Sequence, residues 1–154
     1  MSTGTGASGV PLADDQAIGL ELPTITDDYM KGRLSQSRDY TLLILKRTAK
    51  FKRPEVDPII WEHGRRNMAL TQAGLMPIVC PARDTGEYAG IGILTVPIDR
   101  AAEILNEDPG VKAGILTFEV HPVGGFPGSS LPTQTHAETQ TSQFGEMATR
   151  DRHL

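Results

Sequence analysis

His63 and Asn67 stand four residues apart in Glu55 to Ala73, a stretch with helical spacing. On a helical wheel they share one arc with Val56, Ile59, Ile60 and Leu70, while Glu62, Arg65 and Gln72 fall outside it. Two polar side chains thus sit in the middle of an apolar stripe. Buried without a partner, an imidazole or an amide costs about 1–3 kcal/mol. The pair is therefore either hydrogen-bonded within the core or lines a pocket between helix and sheet. Asp108, followed by Pro109, reads by itself as a local turn-maker. Within reach of His63, the same carboxylate would fix the imidazole tautomer and stabilise the imidazolium. That arrangement makes a general base suited to neutral pH.

Other residues carry weaker signals. A nucleophilic Cys80 would need a nearby base or helix N-terminus, and neither is visible, so a small packed residue on a strand is the simpler reading. His121 alternates with Glu119 and Thr117 and reads as facing solvent or a dimer cavity. Arg65 and Arg66 read as a solvated helix face, with Arg66 near enough to the stripe to steer an anionic ligand. Trp61 and Met68 lie on one flank of it, where they could meet another subunit. No HxH or HxxxH spacing suggests a metal, and Gly90, Gly92 and Gly124-Gly125 lack the strand, loop and long helix of a phosphate site.

These candidates belong to a chain of 154 residues with a formal net charge of −4, 38% hydrophobic and 22% charged. That is material for one modest domain. One cysteine excludes an internal disulfide framework and a cysteine-rich zinc site. Few aromatics and a mildly acidic balance argue against nucleic acid as a partner. Without a long apolar run or a secretory leader, a soluble, cytoplasmic protein with no membrane association is expected.

Apolar residues concentrate in the middle, so residues 1–36 and 125–154 read as flexible extensions around a domain at 37–124. Within the leader, Ile18 to Pro23 has enough apolar character to dock as an arm. Asp39 to Lys46 reads as a strand that is apolar on both faces. The helix over Glu55 to Ala73 ends at Gly74. Met76 to Arg83 and Tyr88 to Val96 read as strands joined by a hairpin. A second helix runs from an N-cap at Asp99 to Asn106 and closes at Asp108-Pro109-Gly110. Ile115 to Val123 alternates as the last strand. The order βαββαβ predicts an α+β, ferredoxin-like domain with a four-stranded antiparallel sheet and both helices on one face. A first strand apolar on both faces needs a cover on the other side, and a second copy of the chain is the economical one.

His63, Gly74 and Pro81 at these spacings, followed by Asp108-Pro-Gly-Val-Lys-Ala-Gly114 and a last strand ending Val120-His-Pro122, resemble the YCII-related domain family over roughly residues 39–123. The resemblance implies a dimeric α+β barrel of ferredoxin-like protomers, each with a cleft holding a His–Asp pair at His63 and Asp108. Asn67, Cys80, Pro81 and Arg66 would then bind substrate. The chain departs from the family pattern at Cys80, where glycine is frequent, and at Val123-Gly124, where an aromatic often follows the proline.

The function expected from these residues is a cofactor-free, metal-free enzyme of lyase or isomerase type, a homodimer moving a proton on a small cyclic or aromatic metabolite. The resemblance adds analogy with a dehydrochlorinase of halogenated hydroxyquinols and with muconolactone isomerase, a relative by fold. Two alternatives use the same cleft: a non-catalytic ligand-binding or accessory protein, and a cofactor-independent oxygenase.

Overall fold

The structure, a computed structural model, describes residues 19–134. The chain divides into two compact units, Met1–Ser35 and Gln36–Leu154. Residues 1–18 and 135–154, which hold Ile18 and most of the two expected extensions, lie outside the described residues.

In the first unit the sequence reading placed no element, and the structure has a helix there, α1, over Asp27–Ser35. Its start has a local cause. The Tyr29 N–H donates to Thr26 Oγ1 at 3.2 Å, and Asp27 and Asp28 in the first turn with Arg33 in the last suit the helix dipole. No α1 residue is buried.

The second unit contains β1 (Arg38–Arg47), α2 (Asp57–Gln72), β2 (Ile78–Pro81), β3 (Tyr88–Leu94), α3 (Ile98–Asn106), the one-turn α4 (Pro109–Lys112) and β4 (Leu116–Gly125). The strands pair antiparallel in the order β2-β3-β1-β4. This α+β arrangement is compatible with a ferredoxin-like fold. β1 is an inner strand, and its alternation decides the layers. Leu43 and Leu45 are buried with Val56, which precedes α2, Leu70 of α2, Ala101, Ile104 and Leu105 of α3, and Met76, Leu94, Ile115 and Leu116. Leu42 and Ile44, which point the other way, remain half-buried.

The core is tight where β3 crosses it. A Cβ on Gly92 would lie 2.8 Å from Met76 Sδ, and Met76 is fully buried. Only a residue without a side chain lets that thioether lie against the strand. Buried Thr41 is satisfied because its hydroxyl donates to the Val96 carbonyl at 2.7 Å.

Helix boundaries show which local signals hold. Gly74 adopts φ +73° directly after α2, and the N–H groups of Gly74 and Leu75 return to Thr71 and Leu70, ending the helix where expected. The expected cap of α3 is corrected. Pro97, extended at φ −62° and ψ 162°, precedes the first turn, and Asp99 lies within that turn without capping it. Proline already holds the chain in an entry conformation, so the helix begins two residues earlier than a capping Asp99 would allow. Among the described residues no helix is long and apolar enough to cross a membrane.

Candidate active site

The site begins with the element that the sequence reading replaced by a turn. Asp108 does more than close α3, because it is the N-cap of α4. Its Oδ2 accepts the N–H groups of Gly110 at 2.9 Å and Val111 at 3.2 Å, and Pro109 occupies a first-turn position that has no N–H to satisfy. Gly110 is required for this approach. A Cβ there would crowd both the Leu116 side chain and Asp108 Oδ2, the latter at 3.1 Å.

With Oδ2 occupied by the cap, Oδ1 is left for α2. His63 Nδ1 lies 2.7 Å from Asp108 Oδ1, a charge-assisted distance. The ring's other nitrogen, Nε2, lies 3.0 Å from Asn67 Nδ2, one turn further along α2. Side-chain exposure is 15% for His63 and 3% for Asp108. Burial by itself would raise the Asp108 carboxyl. The hydrogen bond and charge of His63, together with the Val111 and Gly110 N–H groups, outweigh it and hold the carboxyl below the usual carboxylate value. An ionised Asp108 can only accept, so Nδ1 carries the proton. The Nε2 lone pair then accepts from the Asn67 amide, in this assignment of the amide group.

His63 and Asn67 border a cavity of about 40 Å³ between α2 and the sheet, with Leu43, Leu45, Met76, Val79, Cys80, Pro81, Ala89, Gly90 and Ile91 as further walls. That is room for two or three water-sized groups. Larger concavities lie elsewhere, one of about 620 Å³ beside Trp61 and Met68 and one of about 550 Å³ where residues 126–131 pass Tyr40 and Ile93. Neither is lined by a histidine, nor are two more, of about 820 Å³ beside Arg47 and Asp84 and of about 490 Å³ beside Asp39 and Asp99, so the small cavity is where a histidine base and a reacting group could meet.

The residues singled out from sequence are thus only partly brought together. His63, Asn67, Cys80 and Pro81 share the cavity, with Asp108 behind His63. Cys80 differs from the expectation in detail. Its register partner is Ile91, which pairs with Ile44, so strand alternation sends the thiol to the face away from the helices and leaves the main chain at the cavity wall. Arg66, also expected to bind substrate, does not line the cavity. It lies at the edge of the stripe, beside Ile59 on the wheel, and its Nη1 is buried without a hydrogen-bond partner. His121 lies on the open face, half-exposed, with Nε2 3.2 Å from Glu119 Oε2. Glu119 also takes Lys46 at 2.6 Å, and that ammonium, followed by His121, holds its carboxyl below the usual range. Trp61 and Met68 are 70% and 66% exposed on the outer flank of α2. Among the described residues no three His, Cys, Asp or Glu side chains gather as a metal site.

The Gly110 and Val111 amides are the functional groups that side-chain reasoning overlooked. The signal was present, since Asp-Pro is as much an N-cap followed by a first-turn proline as it is a turn.

In comparison with known proteins, the chain matches no protein-family model and no curated protein sequence.

Proposed function

We propose that the protein is a cofactor-free enzyme of lyase or isomerase type in which His63 moves a proton at Nε2 and Asp108 orients the ring and stabilises the imidazolium. The observation that carries this reading is the 2.7 Å contact of His63 Nδ1 with an almost fully buried carboxylate, itself held by two amides, at the wall of a cavity. A histidine satisfied within the core would also take a hydrogen-bond partner, and the position of His63 at a cavity wall is what favours the catalytic reading. The resemblance to YCII-related domains points to the same two residues, and small cyclic or aromatic metabolites remain the proposed substrates.

The test is His63→Gln, which can still donate a hydrogen bond to Asp108 but has no titratable base. His63→Ala is a poorer choice because it leaves buried Asp108 without its side-chain partner. Across a panel of lactone and phenolic metabolites, His63→Gln is expected to lose about 10²–10⁴-fold in rate. A variant as fast as the wild type would remove the base from the mechanism. A second reading, recognition without turnover, is favoured by the small cavity and by the engagement of Nε2 with Asn67. Ligand binding by the wild type with no chemical change in any bound compound would select it.

The same proposal includes a homodimer across the open sheet face. Leu42, Ile44, Ile78, Ile91 and Ile93 share that face by register, and Ile91 is 46% exposed. This apolar patch over β1, β3 and β2, bordered by Glu119 and His121 on β4, fits a partner sheet. Ile91→Lys is expected to convert a dimer into a folded monomer by light scattering, with an unchanged circular dichroism spectrum. A monomeric wild type would end this part of the proposal.

A further inference from the structure

We infer that the substrate is a carbonyl compound with an acidic α-hydrogen, and that Asn67 is a catalytic residue that donates its amide N–H to the enolate oxygen formed when His63 removes that hydrogen. The inference rests on the proton-transfer reading above and adds the substrate class and a second catalytic group.

The geometry supplies the argument. Nε2 of His63 and Nδ2 of Asn67 are 3.0 Å apart, one offering a lone pair and the other an N–H. Their complement is a group that presents an acidic hydrogen and an acceptor at similar spacing. In a carbonyl compound the α-carbon and the oxygen lie about 2.4 Å apart, from bond lengths of about 1.52 and 1.23 Å. Placed side by side with the two nitrogens, the α-hydrogen meets the lone pair and the oxygen meets the amide. In the free protein those groups satisfy one another. A substrate exchanges that single bond for two, and the Asn67 amide needs only to redirect its hydrogen.

The surroundings fit the same step. A cavity of about 40 Å³ accepts a carbonyl and its α-carbon while the remainder of the molecule stays outside, and its side-chain walls other than His63 and Asn67 are apolar. With so little water, an N–H aimed at developing charge is strengthened. His63 and Asn67 come from one helix at i and i+4, so their spacing is set by a rigid element. Asp108 holds Nδ1–H, leaving Nε2 as the only ring atom that can take the proton.

In the step itself, the α C–H bond breaks and its proton forms the Nε2–H bond. The C–H electron pair becomes the C=C bond, and the carbonyl π pair moves to oxygen, where Asn67 donates. Return of the proton from Nε2 to the far carbon of a conjugated enolate completes an isomerisation with no net loss or gain. Return to the original carbon gives only hydrogen exchange.

The experiment uses the full-length protein and α-angelica lactone in D₂O, followed by NMR. Wild type is expected to accelerate deuterium uptake at the α-carbon and formation of the conjugated isomer. Asn67→Leu is expected to lose about 10²–10³-fold, as for one oxyanion donor. Asn67→Asp, which keeps the shape but offers an anion in place of the amide N–H, should lose at least as much while unfolding at a similar temperature. Tetronate, a stable lactone enolate, should bind wild type at least tenfold more tightly than either variant, which tests the donor without turnover. Exchange or tetronate binding unaffected in both variants would overturn the role of Asn67. No catalysed exchange with the lactone, a β-keto ester or 3-cyclohexenone would overturn the substrate class. If His63-dependent proton transfer on phenolic substrates then persists, the proton-transfer reading survives alone, whereas its absence there as well defeats both.

Discussion

Replacing Asp108 with asparagine is expected to leave the domain folded and to slow turnover by about 10⁴-fold, the scale at which an orienting carboxylate acts through a histidine tautomer. Asp108 Oδ2 caps α4 through the amides of Gly110 and Val111, and an asparagine oxygen can do the same. The remaining group then faces His63 Nδ1 as an N–H donor. That nitrogen can no longer carry a proton and must accept instead, which puts the proton on Nε2. The lone pair is lost from the one ring nitrogen that Asp108 leaves for a substrate. Asn67 accommodates the change by presenting its oxygen, so the fold has no reason to fail. Rate measurements paired with ¹⁵N spectra of the His63 ring check both halves. Wild type should show a protonated Nδ1 and a bare Nε2, and Asp108→Asn the reverse. A variant with the wild-type tautomer and rate would show that Asp108 does not set the base.

Replacing Asp108 with alanine should instead act on stability. It removes the α4 cap, leaves the Gly110 and Val111 amides without their side-chain acceptor and takes away the partner of a nearly buried ring. Loss of a cap and exposure of such donors together cost on the order of 3 kcal/mol. For a domain of this size that lowers Tm by about 10 °C or more. The pH dependence has a definite sign. The Asp108 carboxyl is held below its usual value in the folded protein, so at acid pH the unfolded chain binds more protons. The stabilisation is complete above the unfolded carboxyl value of about 3.9 and is lost as pH falls through the lower folded value. Wild type should therefore lose stability below about pH 4 more steeply than Asp108→Ala. Parallel Tm profiles for the two proteins between pH 7 and 3 would contradict the assignment.

Much of the fold was legible because short-range rules suffice for it. The alternation of Leu42 to Leu45, the helical stripe from Val56 to Leu70 and the stop at Gly74 each depend on a few neighbouring residues, and each element appears where those residues place it. The boundary at Asp99 failed because two local signals competed and Pro97 prevailed. The helix Asp27–Ser35 was overlooked because its faces show no apolar periodicity, although Thr26-Asp27-Asp28 marks a helix start.

The sequence by itself determined that His63 and Asn67 are neighbours, because four residues along a helix return to the same side. It also determined that Asp108 stands before a proline, ready to begin a helical turn. Only the tertiary structure decided that this carboxylate meets His63 across 45 residues of chain, through Nδ1, leaving Nε2 to Asn67. Only strand pairing decided that the Cys80 thiol faces away from the cavity while its main chain borders it. The physical reason is the same in both cases. Periodicity states which side of an element a residue occupies, whereas contact between residues distant in the chain depends on how whole elements pack, and no local pattern encodes that.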